Sequence, residues 1–117
     1  MFKLTAAILL SLGGVFSAAA FGQETLSDLV RSGQREAVLA AITSPDIDVN
    51  AADPDGSTAL LWATYKVDHE MVRALLKAGA KANVTNHYGA IPLTEAVKLA
   101  DGDLVRLLLE EIGRAHV

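Results

Sequence analysis

A fixed internal period constrains this chain more than any other feature. A shift of 33 residues brings Gly56 onto Gly89, Leu60 onto Leu93 and Ala63 onto Ala96. The same shift brings Asp68 onto Asp101, Val72 onto Val105 and Arg73 onto Arg106. Leu75 and Leu76 fall on Leu108 and Leu109, and Asn50 on Asn83. A period of this length marks a stack of supersecondary units, each too small to bury a core alone and each stabilised by its neighbours.

The residues within one period prescribe the unit. Gly56 and Gly89 stand where a tight turn needs a positive φ. Thr58 precedes an apolar stretch as an N-cap, and Pro92 suits a first helical position, where its missing N–H is not needed. Asp68 and Asp101 can cap a second helix. Val72, Leu75 and Leu76 share one face of that helix at i, i+3 and i+4, and Gly79 ends it in the left-handed region. The predicted helix pairs are 26–31 with 34–43, 58–65 with 69–77, and 92–99 with 103–110. Turns centre on Asp53–Gly56 and Asn86–Gly89. Leu60, Ala63, Val72, Leu75, Leu76, Leu93, Ala96, Val105 and Leu108 are expected in the core, with Arg73 and Arg106 outside.

Residues 55–83, DGSTALLWATYKVDHEMVRALLKAGAKAN, resemble an ankyrin repeat, and residues 88–110, YGAIPLTEAVKLADGDLVRLLLE, resemble a second. Residues 25–50 resemble an N-terminal capping repeat with one residue inserted near Ser44-Pro45. The resemblance implies an all-α solenoid of about three stacked helix-turn-helix units, the last incomplete. This chain departs from the family in three ways. The Thr-Pro-Leu-His motif reads Thr58-Ala59-Leu60-Leu61 and then Ile91-Pro92-Leu93-Thr94, so both histidines are gone and the side-chain network between repeats is expected to weaken. Ile91 cannot cap, at a cost of about 1 kcal/mol. Val67 and Ala100 replace the glycine between helices; a β-branched residue at positive φ is strained, so that turn is expected to differ from the family's.

The first 22 residues read differently. Lys3 is followed by a charge-free apolar run, Leu4–Val15, and by Ala18, Ala19 and Ala20, the layout of a secretory signal peptide cleaved before Phe21 or after Gly22. An uncleaved anchor is the alternative, although the run is shorter than the ~20 residues a spanning helix needs and is broken by Gly13-Gly14. Export to a bacterial periplasm or to the medium is the expectation, with no stable membrane insertion after cleavage. Fourteen acidic and nine basic residues follow Gly22, a net charge of −5 with histidine neutral. Such a balance argues against nucleic acid as a partner. With no cysteine there is no disulfide, thiolate metal site or lipid-anchor thiol.

No constellation of catalytic residues emerges. Asp53-Pro54-Asp55-Gly56 looks like the start of a calcium loop, but an EF-hand with Gly56 at its sixth position would put Ala51 and Trp62 where ligands are required. His69, His87 and His116 lack partners at metal-ligand spacing and are read as surface residues. No serine elbow, dinucleotide fingerprint or P-loop is present. Asn83-Val84-Thr85 matches a glycosylation sequon, but the repeat already accounts for Asn83 as a turn residue. No enzyme activity, cofactor or metal is expected. Trp62 is expected to pack between repeats.

The resemblance implies a protein-binding scaffold whose contacts lie at finger tips and first-helix ends, along a concave face. On this sequence those positions are Pro54, Asp55, Ser57, Tyr65, Lys66, His87, Tyr88, Ala90, Lys98 and Leu99. Tyrosine is enriched at interface hot spots, but Tyr65 and Tyr88 would serve equally to cover neighbouring repeats. The alternative function is a scaffold region of a larger enzyme. Domain assignment follows as 1–22 signal peptide, 23–110 repeats and 111–117 tail. The tail, Glu-Ile-Gly-Arg-Ala-His-Val, resembles the translation of a sequencing adapter, and the period places Ile112 and His116 where glycine and asparagine are due. The alternative is a natural, degenerate cap. Val105, Leu107, Leu108 and Leu109 give the last helix more apolar surface than a cap carries, so self-association through an open C-terminal repeat is expected.

Overall fold

The computed structural model describes residues 25–115. The segment read as a signal peptide, residues 1–22, lies outside them, as does His116. The described residues form six helices: α1 (Leu26–Arg31), α2 (Arg35–Ala41), α3 (Ala59–Tyr65), α4 (His69–Lys77), α5 (Pro92–Lys98) and α6 (Gly102–Ala115). Each consecutive pair, α1–α2, α3–α4 and α5–α6, is one unit. First helices stack α1 on α3 on α5, and second helix α4 packs on α6.

Local chemistry explains the boundaries. Thr25 and Asp28 form a reciprocal capping box on α1, with Asp28 N–H donating to Thr25 Oγ1 at 3.0 Å and Thr25 N–H to Asp28 Oδ2 at 3.1 Å. Thr58 Oγ1 accepts from Leu61 N–H, Asp68 Oδ1 from Met71 N–H, and Asp101 Oδ1 from Leu104 N–H. Ile91 makes no side-chain cap, as expected, and the Thr94 hydroxyl donates to its carbonyl at 3.0 Å instead. α6 runs past Glu110 into the segment assigned to the tail, with Ile112 packed against the core. It does so because Ile112 occupies the position at which Gly79 stops α4.

The core follows the predicted register. Leu60, Ala63, Val72, Leu75, Ala96 and Leu108 have no exposed surface, and Arg73 and Arg106 are exposed. Leu76, Leu93 and Val105 are corrections: each is only half-buried. Leu93 and Val105 match Leu60 and Val72 one repeat earlier, which are covered by the third unit. Among the described residues nothing equivalent covers the third unit. Two more of its positions are open for the same reason: Val97 is 59% exposed where Thr64 is 0%, and Leu109 is 51% exposed.

The inter-helix turns are a second correction. Val67 and Ala100 do adopt positive φ, 55° and 57°, in the place held by Gly33 in the first unit. The turn is the same in all three. Gln34 N–H bonds to Leu29 O, Asp68 N–H to Ala63 O, and Asp101 N–H to Ala96 O. The hydrogen-bonded exit therefore outweighs the strain of a side chain in the left-handed region, about 1–2 kcal/mol. Val67 is 40% exposed and loses little burial if removed. Val67→Gly is expected to raise unfolding free energy by ~1 kcal/mol, the relieved strain less glycine's entropy cost. Ala100→Gly should gain less, having no β-branch. Urea denaturation of the two variants checks this; a destabilised Val67→Gly would mean that its side chain contributes packing that outweighs the strain.

Polar links between units run through residues other than the missing histidines. Arg35 at the start of α2 pairs with Asp68 and Glu70 at the start of α4. One unit on, His69 Nε2 lies 2.9 Å from Asp101 Oδ2, half-buried rather than free on the surface. Ser27 Oγ donates to Ser57 O, and Asn86 Nδ2 to Ser57 Oγ, so one chain of bonds joins all three units. Asn50 accepts from Lys81 N–H and donates to Gly79 O.

Several of these carboxylates are held below the usual range. Asp28 is lowered chiefly by the Thr25 N–H, then its hydroxyl. Asp55 is lowered by Ser57, and Asp101 by the Leu104 N–H and then His69. A depressed folded-state value means stabilisation that is complete above the ordinary carboxylate pKa of about 3.9 and lost as pH falls through the lower folded values. The melting temperature should accordingly change little between neutral pH and about 5, then decline modestly below about 4, since these carboxylates face solvent. Circular-dichroism melts across this range check it, and a melting temperature that holds or rises in acid would contradict it.

Candidate functional site

The finger turns are built identically. Asp53 N–H bonds to Ser57 O and Gly56 N–H to Asp53 O; one repeat later Asn86 N–H bonds to Ala90 O and Gly89 N–H to Asn86 O. The two fingers are joined edge to edge by His87 N–H donating to Asp55 O at 2.8 Å. Asn86, buried in the second finger, accepts from Tyr88 N–H and Ala90 N–H, which fixes the tip that carries His87 and Tyr88.

Of the predicted contact residues, Pro54, Tyr65, Lys66, His87, Tyr88, Lys98 and Leu99 are exposed and Asp55 is half-buried. Tyr88 is 80% exposed and Tyr65 39%. Ser57 and Ala90 are corrections. Both are buried, Ser57 at 2% and Ala90 at 8% exposure, because they close their fingers from the inside and Ser57 carries the bonds to Ser27 and Asn86. They position the face rather than contribute to it. Asp55 turns inward too, its Oδ1 accepting from Ser57 N–H at 2.9 Å.

Trp62 belongs to this face as much as to the core. It is half-buried, donates from Nε1 to Asp53 Oδ2 at 2.9 Å, and lies with its ring centroid 5.6 Å from that of Tyr65. The Arg31 guanidinium of the first unit lies 5.7 Å from the Trp62 ring centroid, a cation–π contact across units. Burial, then the nearby Glu95 carboxylate, raises the Tyr65 phenol above its ordinary value.

Arg31, Trp62 and Asp53 were not among the predicted contact residues. Register held the signal for Arg31: it ends α1 as Tyr65 ends α3 and Lys98 ends α5. The residue three earlier in each helix is Asp28, Trp62 and Glu95, and each pair is in contact. Asp28 pairs with Arg31, Trp62 stacks near Tyr65, and Glu95 lies 3.0 Å from Lys98.

The comparisons with known proteins agree with this geometry. A family profile described as ankyrin repeats in three copies matches residues 17–116. The chain is 34% identical over 73 residues to palmitoyltransferase AKR1 of Lachancea kluyveri, covering 62% of this chain and 10% of that protein. It is 45% identical over 58 residues to the E3 ubiquitin-protein ligase Ufd4 of Drosophila melanogaster, covering 50% of this chain and 2% of the ligase. It is 30% identical over 88 residues to ankyrin repeat domain-containing protein SAT10 of Stachybotrys chartarum, covering 75% and 4%. The chain thus spans a tenth or less of the length of these relatives.

Proposed function

The chain belongs to the ankyrin-repeat family, and from that premise we propose that it binds a protein partner through the first-helix ends and finger tips. Ankyrin repeats in general mediate protein–protein interaction. The observation that supports this face is the exposure of Tyr65 and Tyr88 away from the apolar stripe, on fingers whose backbone is fixed by Asn86. Tyr65→Ala and Tyr88→Ala should each weaken a captured partner by ~1–2 kcal/mol with little change in melting temperature. Binding by calorimetry and melting by circular dichroism separate the outcomes. Normal binding with an earlier melt would make both residues covers for their neighbours.

A second reading has specific support. The palmitoyltransferase and the ubiquitin ligase are enzymes by name, and this chain matches only a small part of each. The chain would then be the scaffold region of a larger enzyme, which the full open reading frame decides. Export is proposed on the apolar run Leu4–Val15 and the small residues Ala18–Ala20 alone. The named relatives are fungal and insect proteins and lend nothing to a bacterial source. Mass spectrometry of the mature protein tests it: a mass that retains Met1–Ala20 defeats it. Self-association is proposed through the open third unit, on the exposure of Val97 and Leu109; a monomer at all concentrations in light scattering would end it.

A further inference from the structure

The asparagine that recurs with the repeat has parted into two roles. Asn50 belongs to the frame between units: its Oδ1 accepts from Lys81 N–H at 2.7 Å and its Nδ2 donates to Gly79 O at 3.2 Å. Asn83, one period on, is exposed in a turn, and its side chain makes no hydrogen bond among the described residues. Register explains the difference. Gly79 and Lys81 lie 29 and 31 residues beyond Asn50. The same steps from Asn83 lead to Ile112 and Arg114, both inside α6. With no helix stop there, the loop that would meet the Asn83 amide does not form. The neighbouring sequence differs in the same sense. Asn50 is followed by Ala51-Ala52 and Asn83 by Val84-Thr85; of the chain's three asparagines, Asn83 alone has a hydroxyl residue two positions on. Thr85 is exposed as well, its hydroxyl held only by a 3.4 Å bond to Asn86 O. The position combines a complete Asn-X-Thr acceptor, an open side chain and an amide with no structural duty.

We propose that Asn83 is a site of N-glycosylation, a reading that rests on the proposed export of the chain. The donor class is an oligosaccharide joined through diphosphate to a polyprenyl lipid. Asn83 Nδ2 forms a bond to the anomeric carbon of the sugar. The bond from that carbon to the diphosphate oxygen breaks, the amide gives up one proton, and the lipid diphosphate leaves. Nothing is oxidised or reduced. The glycan costs the fold no hydrogen bond, because the amide has none to give up. Bulky and solvated, it has room at the rim of the third unit, where Asn83 shares a shallow hollow with Lys81, Glu111 and Ile112.

The test is expression of the whole chain in a eukaryotic secretory host, in two versions. One keeps residues 1–22, and the other carries a leader of proven export in their place. Both should yield secreted protein of raised mass, brought down by peptide N-glycosidase with residue 83 then read as aspartate. Asn83→Gln and Thr85→Ala should each be secreted without the added mass, and Thr85→Ser should keep it. Secreted protein that carries no glycan, even with the proven leader, overturns the proposal and leaves export standing. Glycosylated protein from the proven leader, with none secreted from the natural one, defeats the export reading and the proposal with it. Unmodified protein made in a bacterial cytosol gives an independent readout. There Asn83→Gln should melt with the parent, whereas Asn50→Gln should melt several degrees earlier. An equal loss at both positions would show the Asn83 amide engaged as that of Asn50 is, and would also overturn the proposal.

Discussion

Truncating Leu75 to alanine is expected to remove about 3 kcal/mol of unfolding free energy, more than half of what a domain this small has, and to leave roughly 2 kcal/mol, with a few per cent of the population unfolded at room temperature. Leu75 has no exposed surface and lies in one apolar cluster with Leu60, Val72, Leu104 and Leu108, drawn from the second and third units. The middle unit is held from both sides, so its neighbours cannot collapse into the cavity without losing their own stacking. A domain this small has a total stability at the low end of the ~5–15 kcal/mol usual for folded proteins. Leu109→Ala is the control. Leu109 occupies a leucine position in the same repeated motif but is 51% exposed, and its truncation should cost less than ~1 kcal/mol. Urea titration followed by circular dichroism measures both. Equal losses at the two sites would mean that α4 and α6 do not stack in the register described.

How much of this was legible in the sequence depended on whether the cause was local. Periodicity placed all six helices to within a residue or two at most ends, because caps such as Thr58, Asp68 and Pro92 act within one turn. The far end of α6 escaped because a helix ends at a stop signal, and none stands at Ile112. Leu76, Leu93 and Val105 were expected to be buried and are half-buried. For Leu93 and Val105, helix periodicity says which face a residue occupies but not whether another unit lies against it; Leu76, in the middle unit, sits at the edge of its stripe on a groove it lines with Leu107. Val67 and Ala100 were expected to change the turn, and the turn prevailed: two backbone hydrogen bonds at each exit outweigh one strained φ.

The proposed binding face shows the same division. Exposure at Tyr88, Lys98 and Pro54 follows from position within the repeat. Ser57 and Ala90 were misread because finger positions were counted as a block, although the two residues close the hairpin with their backbones. Arg31 was missed because the first unit has one extra residue before the second and so leaves the simple 33-residue count. The contact of Arg31 with Trp62 depends on stacking between units, which no single repeat encodes.

Gly56→Ala is expected to cost ~2–3 kcal/mol, more than Gly89→Ala, although the two glycines are one period apart and have nearly the same φ, 87° and 80°. A side chain at either position meets the left-handed strain of about 1–2 kcal/mol, offset in part by the lower entropy of the unfolded alanine chain. At Gly89 nothing else opposes it, since a Cβ there has no atom within 4 Å. At Gly56 the Cβ falls 3.1 Å from Asn86 Cα and 3.3 Å from His87 N. These backbone atoms cannot retreat freely: His87 N–H is bonded to Asp55 O, and Asn86 is tied to Ser57, Tyr88 and Ala90. Accommodating one methyl group therefore means parting the two fingers. On the proposed binding face the damage would reach the second finger, which carries Tyr88: there Gly56→Ala should weaken partner binding even where the protein stays folded, whereas Gly89→Ala should lower stability by only ~1 kcal/mol. Denaturation of both variants, with binding measured well below their melting temperatures, provides the comparison. Equal destabilisation at the two glycines would show that the fingers do not pack edge to edge.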